Sequence, residues 1–203
     1  DKIWKYVFNC RMADESITIE GLKEVTKKFP ADVVNEAILK SQLLLSALRS
    51  QHMSLEVVTY LVEELAPESV SSTVALDEDY NRIIVNNPEG WPLPLHIACK
   101  NQCGCSDSII KFLFEKYPSA AKNLWQKHGY PLHLYLMRAI PQEAYIDPED
   151  VIEETGEVLY ENPAIPGQKL DYDLVEMLVE ACPESLITSV QRGYPMAILC
   201  QGC

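Results

Sequence analysis

Residues 91–101 read WPLPLHIACKN, and the phrase returns in altered form as YPLHLYL at 130–136 and YPMAILC at 194–200. Three copies of one phrase predict a repeated structural unit. Each copy sets a proline before an apolar run. Proline's fixed φ and missing N–H suit the first turn of a helix, so each copy predicts a short, buried inner helix.

A second phrase alternates with the first. It reads VVTYLVEELAP at 57–67, IIKFLFEKYP at 109–118 and LVEMLVEACP at 174–183, with a weaker copy, LKEVTKKFP, at 22–30. Ile109, Ile110 and Leu113 fall at i, i+1 and i+4, as do Leu174, Val175 and Leu178, which places one apolar stripe on an amphipathic helix. Pro30, Pro67, Pro118 and Pro183 end these helices, because proline disfavours helical geometry in the residue before it. Ser54, Ser106 and Asp171 or Asp173 stand where helix N-caps are expected. The amino-terminal third follows the scheme loosely. Trp4, Val7 and Phe8 share one face of a first helix, residues 18–29 make its partner, and Ile38, Leu39, Leu43, Leu44 and Leu48 form one inner helix.

Two segments break the alternation. Pro67 to Pro94 contains two extended runs around Asp77 to Asn81, an enlarged β-hairpin. Residues 140–169 carry Glu143, Asp147, Glu149, Asp150, Glu153, Glu154, Glu157 and Glu161 with no basic residue before Lys169, and form an acidic insertion with a short helix near 148–154. The reading is therefore all-α: an α-solenoid of stacked helix-turn-helix repeats with one hairpin-like insertion. It is a single domain over 1–203, with degenerate repeats at 1–53, better-formed ones at 54–203 and insertions near 71–89 and 140–169.

The net charge of −13 repels nucleic-acid phosphates and anionic lipid, and suits a protein partner with a basic surface. No apolar run approaches the roughly 20 residues of a membrane-spanning helix. The start, DKIWKYVFNC, lacks both the apolar core of a secretory signal and an initiating Met, which suggests a fragment or a processed form. The cysteines, Cys10, Cys99, Cys103, Cys105, Cys182, Cys200 and Cys203, are odd in number, and several lie within apolar helical patterns. They are expected as reduced thiols of an intracellular protein, cytoplasmic or nuclear.

GWPLPLHIACKN with SDSIIKFLFEKYPSAAKNLWQKHGYPLHLYL resembles the ankyrin repeat, whose signature is a glycine, a two-residue approach and then T-P-L-H-x-A opening the inner helix. Pro94, Leu95, His96 and Ala98 match P-L-H-x-A, Pro131, Leu132 and His133 match the next copy, and Pro195 matches the proline of the last. Gly90, Gly129 and Gly193 occupy the hairpin-glycine position. The match is good over 90–136, fair over 171–200 and poor before residue 54. The family's threonine is absent, Leu93 standing in its place in the first phrase, and the spacings depart from the ~33-residue period. The resemblance implies structural histidines at His96 and His133. It also implies partner binding on the hairpin and inner-helix surface, through Asp77, Glu78, Asp79, Tyr80, Trp91, Trp125, His128, Tyr130, Arg192 and Tyr194.

The sequence shows no G-x-S-x-G, Gly-rich phosphate loop or H-E-x-x-H. His96, Cys99 and Cys103 lie at i, i+3 and i+7 with Cys105 close by, a spacing that serves either a zinc site or a buried helix face. Cys200-Gln-Gly-Cys203 is a lone CxxC. The expectation is a protein-interaction module or scaffold with no catalytic activity, cofactor or metal. Two alternatives stand beside it: a metal- or redox-responsive module using the cysteines, and a non-catalytic regulatory region of a larger enzyme.

Overall fold

The computed structural model describes residues 17–40, 42–50, 53–76, 82–86, 90–101, 104–126, 128–141 and 166–188. These residues are mostly helical. The helices are α1 (Ile19–Thr26), α2 (Ala31–Lys40), α3 (Leu43–Ala47), α4 (Leu55–Tyr60), α5 (Pro94–Lys100), α6 (Asp107–Lys116), α7 (Pro131–Leu136) and α8 (Tyr172–Ala181). A π-helical turn, Leu61–Leu65, continues α4.

The helices lie in two rows. One row is α3, α5 and α7, in which α5 packs against α3 on one side and α7 on the other. In the other row α1 packs on α4 and α4 on α6, and Lys111 Nζ of α6 reaches Asp171 Oδ2, 2.6 Å away at the N-cap of α8. Across the rows, α5 packs on α6 and α7 on α8. The apolar side chains between the rows, from Ile17 to Leu178, form one connected core. Ile109, Ile110, Leu113, Leu174 and Leu178 are all buried, so the stripe read from the sequence is the core face. Burying each such side chain contributes roughly 1.5–3 kcal/mol before entropy is subtracted.

Helix ends follow from local chemistry. Ser54 Oγ accepts from Val57 N at 3.3 Å, and Asp171 Oδ1 from Leu174 N at 3.2 Å. Ser106 is the N-cap of α6 without a side-chain bond of this kind. The residues before three prolines take nearly the same conformation: Ala66 at φ −153°, ψ 78°, Tyr117 at −147°, 75° and Cys182 at −145°, 76°. Each leads into a 3-10 turn, Pro67–Val70, Pro118–Lys122 or Pro183–Leu186. Proline excludes the α region from the preceding residue, so one rule produces three matching stops.

The expected single helix through Ile38 and Leu48 is two helices. Gln42 sits at φ 53° between α2 and α3, a left-handed conformation that interrupts a right-handed helix. The two extended runs flanking Asp77–Asn81 are the strands β1 (Ser72–Leu76) and β2 (Arg82–Asn86), antiparallel with Ser72 opposite Asn86 and Leu76 opposite Arg82. This hairpin packs on α2. The first helix with Trp4, the short helix near 148–154 and the YPMAILC phrase lie outside the described residues.

Two polar devices tie neighbouring elements. At the C-terminal end of α5, Asn101 Nδ2 donates to Leu48 O at 2.7 Å and Ser50 O at 3.0 Å, while its Oδ1 accepts from Gly104 N at 3.1 Å. It thereby supplies donors to carbonyls left over where α3 ends. Gly104 packs so closely there that a Cβ would lie 1.8 Å from Ser50 O. Just after α7, Arg138 is 3% exposed. Its Nε donates to Gln168 Oε1 at 3.0 Å, its Nη2 donates to Cys105 O, and Nη1 lies 3.5 Å from Asp107 Oδ1. Gln168 N in turn donates to Arg138 O at 2.7 Å. The two chain segments on either side of the acidic insertion are thus pinned together at the C-terminal end of α7.

Asn101→Ala removes donors from two carbonyls at once. The expected loss is about 1–3 kcal/mol, read as a lower urea midpoint with an unchanged slope.

Candidate functional site

The turn that precedes α7 positions the aromatic residues. Trp125 N donates to Gly129 O at 3.1 Å and Gly129 N to Trp125 O at 2.9 Å, closing a tight hairpin. Gly90 lies alongside Trp125 in a parallel bridge, so the approach to α5 and the approach to α7 stack on each other. Gly90 and Gly129 have φ of 77° and 95°, which L side chains rarely adopt, and a Cβ at Gly90 would press on the Gln126 side chain.

Two histidines fasten these turns. His96 is fully buried. Its Nδ1 accepts from Leu93 N at 3.2 Å and its Nε2 lies 2.8 Å from Asn123 O, so the imidazole is the Nε2–H tautomer donating to the next turn. His133 repeats the arrangement, with Nδ1 accepting from Tyr130 N at 3.3 Å and Nε2 donating to Thr188 O at 2.9 Å. Burial brings the His96 pKa down to about 4, against the smaller upward pull of the Asn123 carbonyl, and burial lowers His133 as well.

Beside this turn lies a cleft of about 440 Å³, lined by Gln42, Leu45, Arg49, Thr73, Gly90, Trp91, Pro92, Trp125, Gln126 and His128. The Trp125 ring is central. His128 packs on it at 4.1 Å, the buried His96 meets it edge-on at 6.2 Å, and Lys100 Nζ lies 5.1 Å from its centroid. Trp91 is 48% exposed at the cleft. Of the ten residues that sequence reasoning placed on a binding surface, the structure brings Trp91, Trp125 and His128 together. Tyr130 stacks on His133 at 5.8 Å and does not line the cleft. Asp77, Glu78, Asp79, Tyr80, Arg192 and Tyr194 lie outside the described residues. Sequence reasoning missed Gln42, Arg49, Thr73 and Gln126. Gln42 precedes α3 in a left-handed conformation and Arg49 follows its end, so no helical spacing marked them in the sequence.

Of the five cysteines considered for a metal- or redox-responsive module, the structure describes Cys99 and Cys105. Cys99 and Cys105 are buried, and Cys105 Sγ donates to Leu48 O at 3.3 Å. Burial raises both thiol pKa values, that of Cys105 to about 12 and that of Cys99 further, so the nucleophilic thiolate is scarce at neutral pH. His96 already uses both ring nitrogens, and among the described residues no group of three or more His, Cys, Asp or Glu side chains gathers to hold a metal ion. Cys10, Cys103, Cys200 and Cys203 lie outside the described residues. No described helix is long and apolar enough to cross a membrane.

No protein-family model matches the chain, and no solved structure matches it. A curated protein does: the mannitol-1-phosphate 5-dehydrogenase of Geobacillus stearothermophilus, 28% identical over 154 residues. The matched region is 74% of this chain and 35% of that protein, so the chain corresponds to about a third of the relative's length. Covering 74% of the chain, the match takes in its middle, the region of Trp91, His96, Trp125 and His133. The expectation of a protein-interaction module or scaffold is corrected by this finding, since the similar protein bears the name of an enzyme. The same finding weighs against the expectation of no catalytic activity.

Two outcomes follow. A buried histidine that stays neutral in the fold but takes a proton when unfolded is stabilising above pH 6.5, and that contribution fades as pH falls towards 4. For His96 the loss by pH 5 is about 2 kcal/mol relative to pH 7, measured as a falling urea midpoint, and His96→Gln flattens the slope between pH 6.5 and 5. In native protein treated with iodoacetamide, peptide mass spectrometry finds Cys99 and Cys105 unmodified, and both react once urea unfolds the chain.

Proposed function

We propose that the chain is a ligand-holding helical region of a larger enzyme polypeptide acting on a phosphorylated polyol, its helix pairs stacked as ankyrin-like repeats. The observation that carries this reading is the 154-residue similarity to a mannitol-1-phosphate 5-dehydrogenase of which the chain matches 35%. The ankyrin-like part is supported by the P-L-H phrases at 94–96 and 131–133, by the two rows of helices, and by the matched histidine bonds from each turn to the next.

A polyol dehydrogenase needs a hydride acceptor, commonly a nicotinamide dinucleotide. The residues here do not fit one. Dinucleotides are held at the carboxyl ends of a parallel sheet, on a G-x-G-x-x-G turn. This sequence has no such motif, and the described sheet is two antiparallel strands. In this reading the acceptor is held elsewhere in the polypeptide, and this region contributes to holding the substrate.

The test is an assay of the full-length polypeptide that carries this chain. Mannitol 1-phosphate is expected to drive reduction of a nicotinamide dinucleotide, with unphosphorylated mannitol at least tenfold poorer in kcat/KM, about the effect of one charge-assisted contact. Absence of turnover with every hexitol phosphate tried contradicts the reading.

A further inference from the structure

We infer that the π-helical turn Leu61–Leu65 is a one-residue insertion in an outer helix otherwise built like α6 and α8, held as a bulge because both ends of that helix are fixed. The bulge absorbs a mismatch of length within the fold, whatever ligand or reaction the chain serves.

The three outer helices align from cap to cap. Their N-caps are Ser54, Ser106 and Asp171, and they close at Ala66, Tyr117 and Cys182, which share the pre-proline conformation described above. Tyr117 and Cys182 each stand 11 positions after their N-cap, whereas Ala66 stands 12 after its own. The closing bond locates the extra residue. Tyr117 N donates to Leu113 O at 3.0 Å and Cys182 N to Leu178 O at 3.2 Å, both from i to i−4. Ala66 N donates to Leu61 O at 2.9 Å, from i to i−5. The acceptors are equivalent: Leu61, Leu113 and Leu178 each stand 7 positions after the N-cap, and all are buried. The exit matches as well, since Ser69 Oγ donates to Ala66 O and Ser185 Oγ to Cys182 O, both at 2.6 Å. Val62 to Leu65 therefore occupy an arc that one residue fewer fills in the other two helices, Phe114 to Lys116 and Val179 to Ala181.

Neither end is free to shift. At the start, Ser54 Oγ caps Val57 N, and Val57 and Val58 are buried. At the end, the 3-10 turn Pro67–Val70 packs on α2 and α5 with Ser69 buried. Sliding either end by one residue would turn it by about 100° about the axis and carry those side chains out of the core. A π turn keeps both ends in place through a rarer hydrogen-bond pattern. Glu64 is the residue the arc can lose. It is exposed, and without it LVEELAP becomes LVELAP, which follows the LVEACP of α8. Glu63 then keeps the position of Glu115 and Glu180, and keeps its ion pair with Lys116 at 2.6 Å.

The test is urea unfolding of the 203-residue chain with single-residue deletions. Deleting Glu64 is expected to leave the midpoint at or above that of Glu64→Ala, which removes the same carboxylate at unchanged length. Deleting Glu115, exposed on the matching arc of α6, is expected to lower the midpoint by about 1 M or more relative to Glu115→Ala, because an arc closed from i to i−4 has no residue to spare. In the Glu64 deletion, the Ala66 amide stays protected from hydrogen exchange, and Cys99 and Cys105 stay closed to iodoacetamide. A Glu64 deletion with a midpoint below that of Glu64→Ala, an unprotected Ala66 amide or newly reactive thiols in it, or a Glu115 deletion as stable as Glu115→Ala overturns the inference.

Discussion

The imidazole of His96 turns one nitrogen to its own unit, where it accepts from the Leu93 amide, and the other to the next, where it donates to the Asn123 carbonyl. His133 does the same between Tyr130 and Thr188. Much else follows from these two side chains. A buried imidazole with an idle nitrogen costs free energy, so each histidine is tolerated because both of its nitrogens are engaged. The turn that His96 bonds leads into the strand-like bridge of Trp125 with Gly90, and the cleft opens beside it.

The repeated phrases made much of this legible before any coordinates. Proline at 67, 118 and 183 acts only on its neighbours, so its effect could be read locally, and three nearly identical backbone conformations result. The apolar spacing of Ile109, Ile110 and Leu113 reports which side of a helix faces inward, and those residues are buried. The helix break at Gln42 was not legible. Glutamine carries no local signal for the left-handed conformation found there. Arg138 was hidden for a related reason. Nothing local marks a buried arginine, whose partners Cys105, Asp107 and Gln168 lie up to 33 positions away.

The site was half visible. Trp91, Trp125 and His128 stood out because large aromatic residues beside turn glycines attract attention. Arg49 did not, because a single cation after LLLSAL reads as ordinary surface. Only the fold shows that it lines the same space as the two indoles. The assignment of that surface to a protein partner came from family resemblance, and fold alone does not fix function. The similarity found is to a protein that bears the name of an enzyme, 28% identical over 154 residues.

The account stands most directly on the state of two rings. In a nitrogen-15 correlation spectrum of the imidazoles at neutral pH, His96 and His133 are predicted to show a protonated Nε2 with a slowly exchanging ring proton and a bare Nδ1. A protonated Nδ1, or resonances averaged by rapid tautomer exchange, would contradict it, because neither histidine would then be bonded to the turn that follows.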